Sequence, residues 1–159
     1  MRENDTSKRG AVLEALRTRM AAISKAEGYW TDVAQARTYA AHKLALGTVM
    51  PAIGIIPTAD TRTRALICAE DEYRMTVEII GVIRVATEAD EWREQCHRFA
   101  GDVQQALSND RQLGGAAVFI EVDDVEIADS YTGGGQGVLA GFAVTASIVY
   151  RISVADVSV

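Results

Sequence analysis

The feature that most constrains this chain is a strict alternation in its middle. Tyr73, Met75, Val77, Ile79, Gly81, Ile83 and Val85 alternate with Arg74, Thr76, Glu78, Ile80, Val82 and Arg84. Successive side chains of a strand point to opposite faces, so a period of two sustained over residues 73–85 specifies a long β-strand. Ile80 and Val82 are apolar on the second face, which predicts that part of this strand is covered on both sides. A second long strand is expected near the C-terminus, where Phe142, Val144, Ala146, Ile148, Tyr150 and Ile152 alternate with Gly141, Thr145, Ser147, Arg151 and Ser153. A shorter one runs through Val118, Ile120 and Val122 toward Ile127.

Two segments change period. From about Ser7 to Ala26, Leu13, Leu16, Met20 and Ile23 recur at steps of three and four, with Val12 and Ala15 widening the stripe. That is an amphipathic helix, and Gly28 is its expected stop. A second helix is predicted from Thr87 as N-cap, with Glu88, Asp90 and Glu91 in its first turn, where the helix dipole favours acids. Its inward stripe is Trp92, Cys96, Phe99, Val103 and Leu107, and Asn109-Asp110 ends it. Between the first helix and the long strand, the alanine-rich stretch from Asp32 to Leu46 fits either a helix or an irregular arm. Met50 to Thr58, with Pro51 and Pro57, fits a short strand near a sheet edge. Residues 59–64 are expected to be an exposed loop, and Tyr131 to Gly137 a glycine-rich tip.

Strands grouped beside two helices predict an α+β fold, an antiparallel or mixed sheet with both helices on one face. At 159 residues the chain has room for one core and one domain, taken as residues 7–154 between short polar tails at 1–6 and 155–159. It has no run of about 18 apolar residues to cross a membrane. The polar opening MRENDTSKR lacks the apolar stretch of a signal peptide, so an intracellular product is expected. Cys68 and Cys96 form no ligand-spaced cluster and are expected as reduced, buried side chains.

A net charge of −6 speaks against a nucleic-acid binder, which needs a basic face. The charge is uneven. Residues 1–25 carry six bases and three acids, whereas residues 121–129 carry five acids (Glu121, Asp123, Asp124, Glu126, Asp129) and no base. Such asymmetry is either a solvated face or a pair of complementary surfaces for self-association.

Residues suited to catalysis do not assemble into a pattern. His97 follows Cys96 directly, and neighbours on a helix diverge by about 100°, so the two do not share a metal readily. No G-x-S-x-G turn presents a nucleophile. Glu70-Asp71-Glu72 and Asp123-Asp124 are expected as exposed acids in loops or at sheet edges. Gly135-Gln136-Gly137 with Ala140 fits G-x-G-x-x-A, but it opens a strand, not the helix whose N-terminus would meet a pyrophosphate. A non-enzymatic protein without cofactor or metal is expected.

One pattern remains informative. The opening helix leads to AEGYWTDVA (26–34), then MPAIGIIP (50–57), the strand YRMTVEIIGVI (73–83), the helix segment EWREQCHRFAGDVQQALSNDRQLGG (91–115) and a closing AVTASIVYRI (143–152). This order, over roughly residues 8–152, resembles the tail-terminator and tail-completion proteins of long-tailed bacteriophages. The resemblance implies a small α+β structural subunit of the virion tail or neck, assembled in the host cytoplasm. Such subunits close into a ring, usually a hexamer, on the tail tube, stop its polymerisation and join the tail to the head. Implied partners are further copies of itself, the tail tube protein and a head–tail connector or neck protein. DNA would only pass through the lumen, and a negative lumen suits that passage. A ring requires two different patches that meet between copies. The residues singled out for such contacts are Arg17 on the basic first helix, Arg62, Arg64, Glu70, Asp71 and Glu72 in the 59–72 segment, Asp123 and Asp124 in the acidic run, and Tyr131, Gly133, Gly134 and Gly135 at the tip. Two other readings fit the same residues: another head–tail joining or minor tail protein of this fold, and a small cytoplasmic ligand-binding or regulatory domain.

Overall fold

The computed structural model of the chain describes residues 7–39, 49–65, 70–85, 91–127, 132–134 and 137–153. Two α-helices, α1 (Lys8–Ala21) and α2 (Glu91–Asn109), pack on one mixed sheet. Its strands are β1 (Gln35–Thr38), β2 (Ala52–Ala65), β3 (Glu70–Val85), β4 (Phe119–Ile127), β5 (Thr132–Gly134) and β6 (Gly137–Ser153). The sheet order is β1-β2-β3-β6-β4, with β5 paired to β6. β1 runs parallel to β2 and every other pairing is antiparallel. The α+β class expected from the strand and helix periods is the class of the fold.

The two strictly alternating segments become the central strands. β3 and β6 pair in unbroken register from Glu70↔Ser153 to Val85↔Val138. Alternation therefore lines up across the pair: Met75 with Ile148, Val77 with Ala146 and Ile79 with Val144, all fully buried under the helices. Ile53 and Ile55 of β2 extend the layer. From above it is closed by Val12, Leu16 and Met20 of α1 and by Trp92, Cys96, Phe99, Val103 and Leu107 of α2. The inward stripe of α2 is thus the one that its spacing predicts.

A close approach sits at the centre of the ladder. Gly81 lies opposite Phe142, whose ring covers the glycine and meets Phe99 of α2 edge-on, with centroids 4.9 Å apart at 79°. Only a residue without Cβ leaves room for that ring, which is the reason for glycine inside an otherwise β-branched strand.

Three sequence expectations need correction. The first helix stops at Ala21, not Ala26. Ser24 is extended, the Lys25 N–H donates to the Asp32 carboxylate at 2.7 Å, and the Val33 N–H donates to the Ile23 carbonyl at 3.0 Å. These bonds fold the chain back into a short 3₁₀ turn at Lys25–Glu27, and it is this turn that Gly28 closes, at φ 91°. Residues 59–64 are not a loop. They continue β2 against β3, with irregularities at Pro57/Ala59 and Arg62/Arg64. The second proline is tolerated because, among the described residues, β1 pairs only with Ala52–Ile55 and leaves that side of Pro57 without a strand partner. The acids Glu70, Asp71 and Glu72 accordingly belong to central strand β3, half-buried, not to an exposed loop. The expected cap Thr87 and the tails at 1–6 and 155–159 lie outside the described residues.

Replacing Gly81 with alanine drives a Cβ into the Phe142 ring. Overpacking of this kind costs about 1–3 kcal/mol. Urea unfolding of Gly81→Ala is expected to show that loss, and an unchanged midpoint would contradict the ring-over-glycine packing.

Candidate assembly interface

The sheet has two unlike edges, and the candidate surfaces lie along them. β4 forms one edge. Ile120 is buried, and Val122, Val125 and Ile127 pack against the core, whereas Glu121, Asp123, Asp124 and Glu126 are exposed. Val122 and Val125 are three apart, a spacing that plain alternation cannot put on one face. The register resolves this with a bulge: Val122 lies opposite Ala146 and Asp124 opposite Thr145, leaving Asp123 as the extra residue. Asp123 then accepts a 2.5 Å hydrogen bond from Ser147 Oγ of β6, and Ser147 is itself buried. Asp123 is thus tied to the sheet, while Asp124 and its neighbours point into solvent. A row of like charges on an edge strand discourages indiscriminate strand pairing.

The other edge holds β1 and the segment that leads to it, with α1 above. Arg17 of α1 is committed locally. Its guanidinium donates twice to Glu14, at 2.6 and 2.9 Å, and these bonds hold the Glu14 carboxyl below the usual range. Arg19 donates to the Ala106 carbonyl at 3.1 Å near the end of α2, binding the helices together. Lys8, Arg9 and Lys25 are exposed.

At the far end of the sheet the remaining predicted contact residues come together in pairs. Arg62 faces Asp71 at 3.8 Å, and Arg151 faces Glu72 at 3.7 Å. Arg64 lies opposite Glu72 in the β2–β3 register. Partly exposed pairs at such distances contribute little to stability, about 0–1 kcal/mol. The glycine tip is a hairpin arm, with Gly133 opposite Val138 and Gly134 opposite Gly137, whereas Tyr131 and Gly135 lie outside the described residues. The structure therefore separates the predicted contact residues that it describes into four groups: the β4 edge, the α1 flank, the paired charges at one sheet end and the β5–β6 hairpin arm.

Sequence reasoning missed two polar anchors. Asp60 receives a 2.6 Å hydrogen bond from the buried Tyr150 hydroxyl and lies 3.3 Å from Arg9. Tyr73 stacks on Tyr150 with centroids 5.8 Å apart. Asp102, buried in α2, accepts the Trp30 backbone N–H through both carboxylate oxygens at 3.1 Å. An acid one residue before Val103 in the inward stripe of α2 was the available sign of a buried acceptor. Nothing in the local pattern marked Asp60, which read as part of a loop.

Among the described residues, no group of three or more His, Cys, Asp or Glu side chains converges to hold a metal ion. His97 is exposed on α2, and Cys96 is a free, buried thiol whose burial pushes its pKa up to about 11. No described helix is long and apolar enough to cross a membrane. No protein-family model matches the chain, and no curated protein matches it.

Burial, followed by its bond to Asp60, pushes the Tyr150 hydroxyl well above its ordinary value. A raised folded pKa favours the neutral form, so this contribution is intact below about pH 10, the unfolded value, and is lost as pH rises beyond it. Cys96 acts in the same direction from about pH 9 upward. Urea midpoints are therefore expected to fall on the alkaline side. Tyr150→Phe should start less stable at pH 8, because Asp60 loses a donor, and fall less steeply. Parallel curves for the two proteins would contradict the assignment.

Proposed function

We propose that this chain is a structural subunit of a long-tailed bacteriophage, a tail terminator that closes into a ring, a hexamer by its resemblance, on the end of the tail tube. The observation that carries the reading is the placement of unlike charge on opposite edges of one small α+β domain. An acidic edge strand bounds one side, and helix α1, with Lys8, Arg9, Arg17 and Arg19 against one acid, Glu14, packs by β1 on the other. A contact between two different patches propagates from copy to copy, and it ends in a ring when the rotation closes. The order of helices and strands supports the same reading, because it is the order on which the sequence resemblance rests. Self-assembly, tube-end binding and neck docking then need no catalytic group. The chain's work is to offer four surfaces: two for its neighbours, one for the tube and one for the neck.

In this account the net charge of −6 also has a use. A ring traversed by DNA must not bind phosphates, and an acidic protein repels them. The head–tail connector or neck protein would meet the face of the ring away from the tube.

The test is a polymerisation assay with purified tail tube protein. Substoichiometric amounts of this chain, matched to the number of tube ends, are expected to halt elongation and give shorter tubes. Tubes that grow to the same length with and without the chain would overturn the terminator assignment.

A further inference from the structure

The segment before β1 presents an aromatic platform that the proposed ring has not used. Trp30 is 65% exposed, the most exposed of the large hydrophobic side chains among the described residues. It is nevertheless held in place. Its backbone N–H is fixed by the buried Asp102 carboxylate, and the Arg98 guanidinium lies over the indole, 4.5 Å from the ring centroid. Arg98 is oriented in turn by Glu94 at 2.6 Å. Together with Lys25, Arg84, Asp32 and Gln95 they line a polar cleft of about 440 Å³. A water-exposed tryptophan gains nothing for the fold by this exposure, whereas tryptophan and arginine are the side chains that carry the most energy in protein interfaces. Fixing them beforehand removes the entropy cost of ordering them on contact.

The complementary surface is on the same chain. β4 begins at Phe119, which is 37% exposed, and continues with exposed Glu121, Asp124 and Glu126 without any base in the strand. One apolar ring followed by carboxylates matches an indole beside Lys25, Arg84 and Arg98, which outnumber the acids Asp32 and Glu94 around them. Within a single copy the two lie apart, because the cleft is bounded by Pro51 and by Ile83 and Arg84 of β3, from which β4 is separated by β6.

We infer that the Trp30–Arg98 platform of one copy receives the β4 edge of the next, so that the occupant of the cleft is a second copy of this chain. The contact is heterologous, as ring closure requires. The inference rests on the self-assembling part of the proposed function and names the surfaces that perform it.

The experiment uses the full chain in light scattering across a concentration series. Wild type is expected to shift from 17.1 kDa toward about 103 kDa, six times the chain mass. Trp30→Ala should weaken association at least about thirtyfold, the equivalent of one interface hot spot. Arg98→Glu alone, and Glu121→Lys with Glu126→Lys alone, should each remain small. Mixing these two charge-reversed proteins should restore large assemblies, because each then offers the other a matched contact. Thermal melts of the variants check that each is folded. Variants that assemble like wild type, or a mixture that fails to recover, would overturn the assignment of surfaces while leaving a ring in place. A wild-type chain that stays at 17.1 kDa throughout would overturn the self-contact itself, and tube termination would still be judged by the separate polymerisation assay.

Discussion

The antiparallel ladder between β3 and β6 is the constraint on which the rest of the molecule depends. Its register is unbroken from Glu70↔Ser153 to Val85↔Val138, and both helices bury their apolar stripes on its inner face. A slip of one residue would turn every inward side chain outward, so the burial of Met75, Val77, Ile79, Val144, Ala146 and Ile148 holds the register in place. Gly81 under Phe142 adds a steric key at one position. Because the ladder is rigid, the strands at its flanks are presented at fixed separation, and the two unlike edges become parts of one inflexible body.

Rigidity at the centre contrasts with the way polar groups are used at the margins. Asp102 fixes the backbone of Trp30, Asp60 fixes Tyr150, and Asp123 is tied to Ser147. Asp102 anchors a segment that carries an exposed indole, whereas Asp60 and Asp123 bind polar groups buried in β6. Among the groups left exposed are the carboxylates of β4 and the indole of Trp30 with the Arg98 guanidinium over it. In the proposed ring such an arrangement would favour contact between copies, because preformed edges lose little freedom on contact.

The sequence made the central strands and α2 legible because their periods of two and 3.6 persist over long runs and agree with burial. It failed where side-chain and backbone polar bonds compete with periodicity. The hydrophobic step from Met20 to Ile23 looked helical, yet Asp32 captures the Lys25 amide and ends the helix early. The threonines and arginines of residues 59–64 read as a loop because this part of β2 has no apolar alternation: its inward residue is Asp60, which meets Tyr150 and Arg9 of α1, and residues 59 and 61–63 are exposed. The β4 bulge was visible as the three-residue step between Val122 and Val125 but not as the bond from Ser147 that accommodates it. Of the candidate contact residues, the acidic run was correctly placed at an edge. Arg17 and Arg62 were not recognisable as locally paired, since Glu14 and Asp71 lie one turn and one strand away respectively.

The most direct measurement of the central claim is electron microscopy of purified tail tubes incubated with this chain. The account predicts one added ring, a single subunit thick, at one end of each tube, with bare tube walls. Tubes whose ends are unchanged, or which carry the chain along their walls, would contradict it.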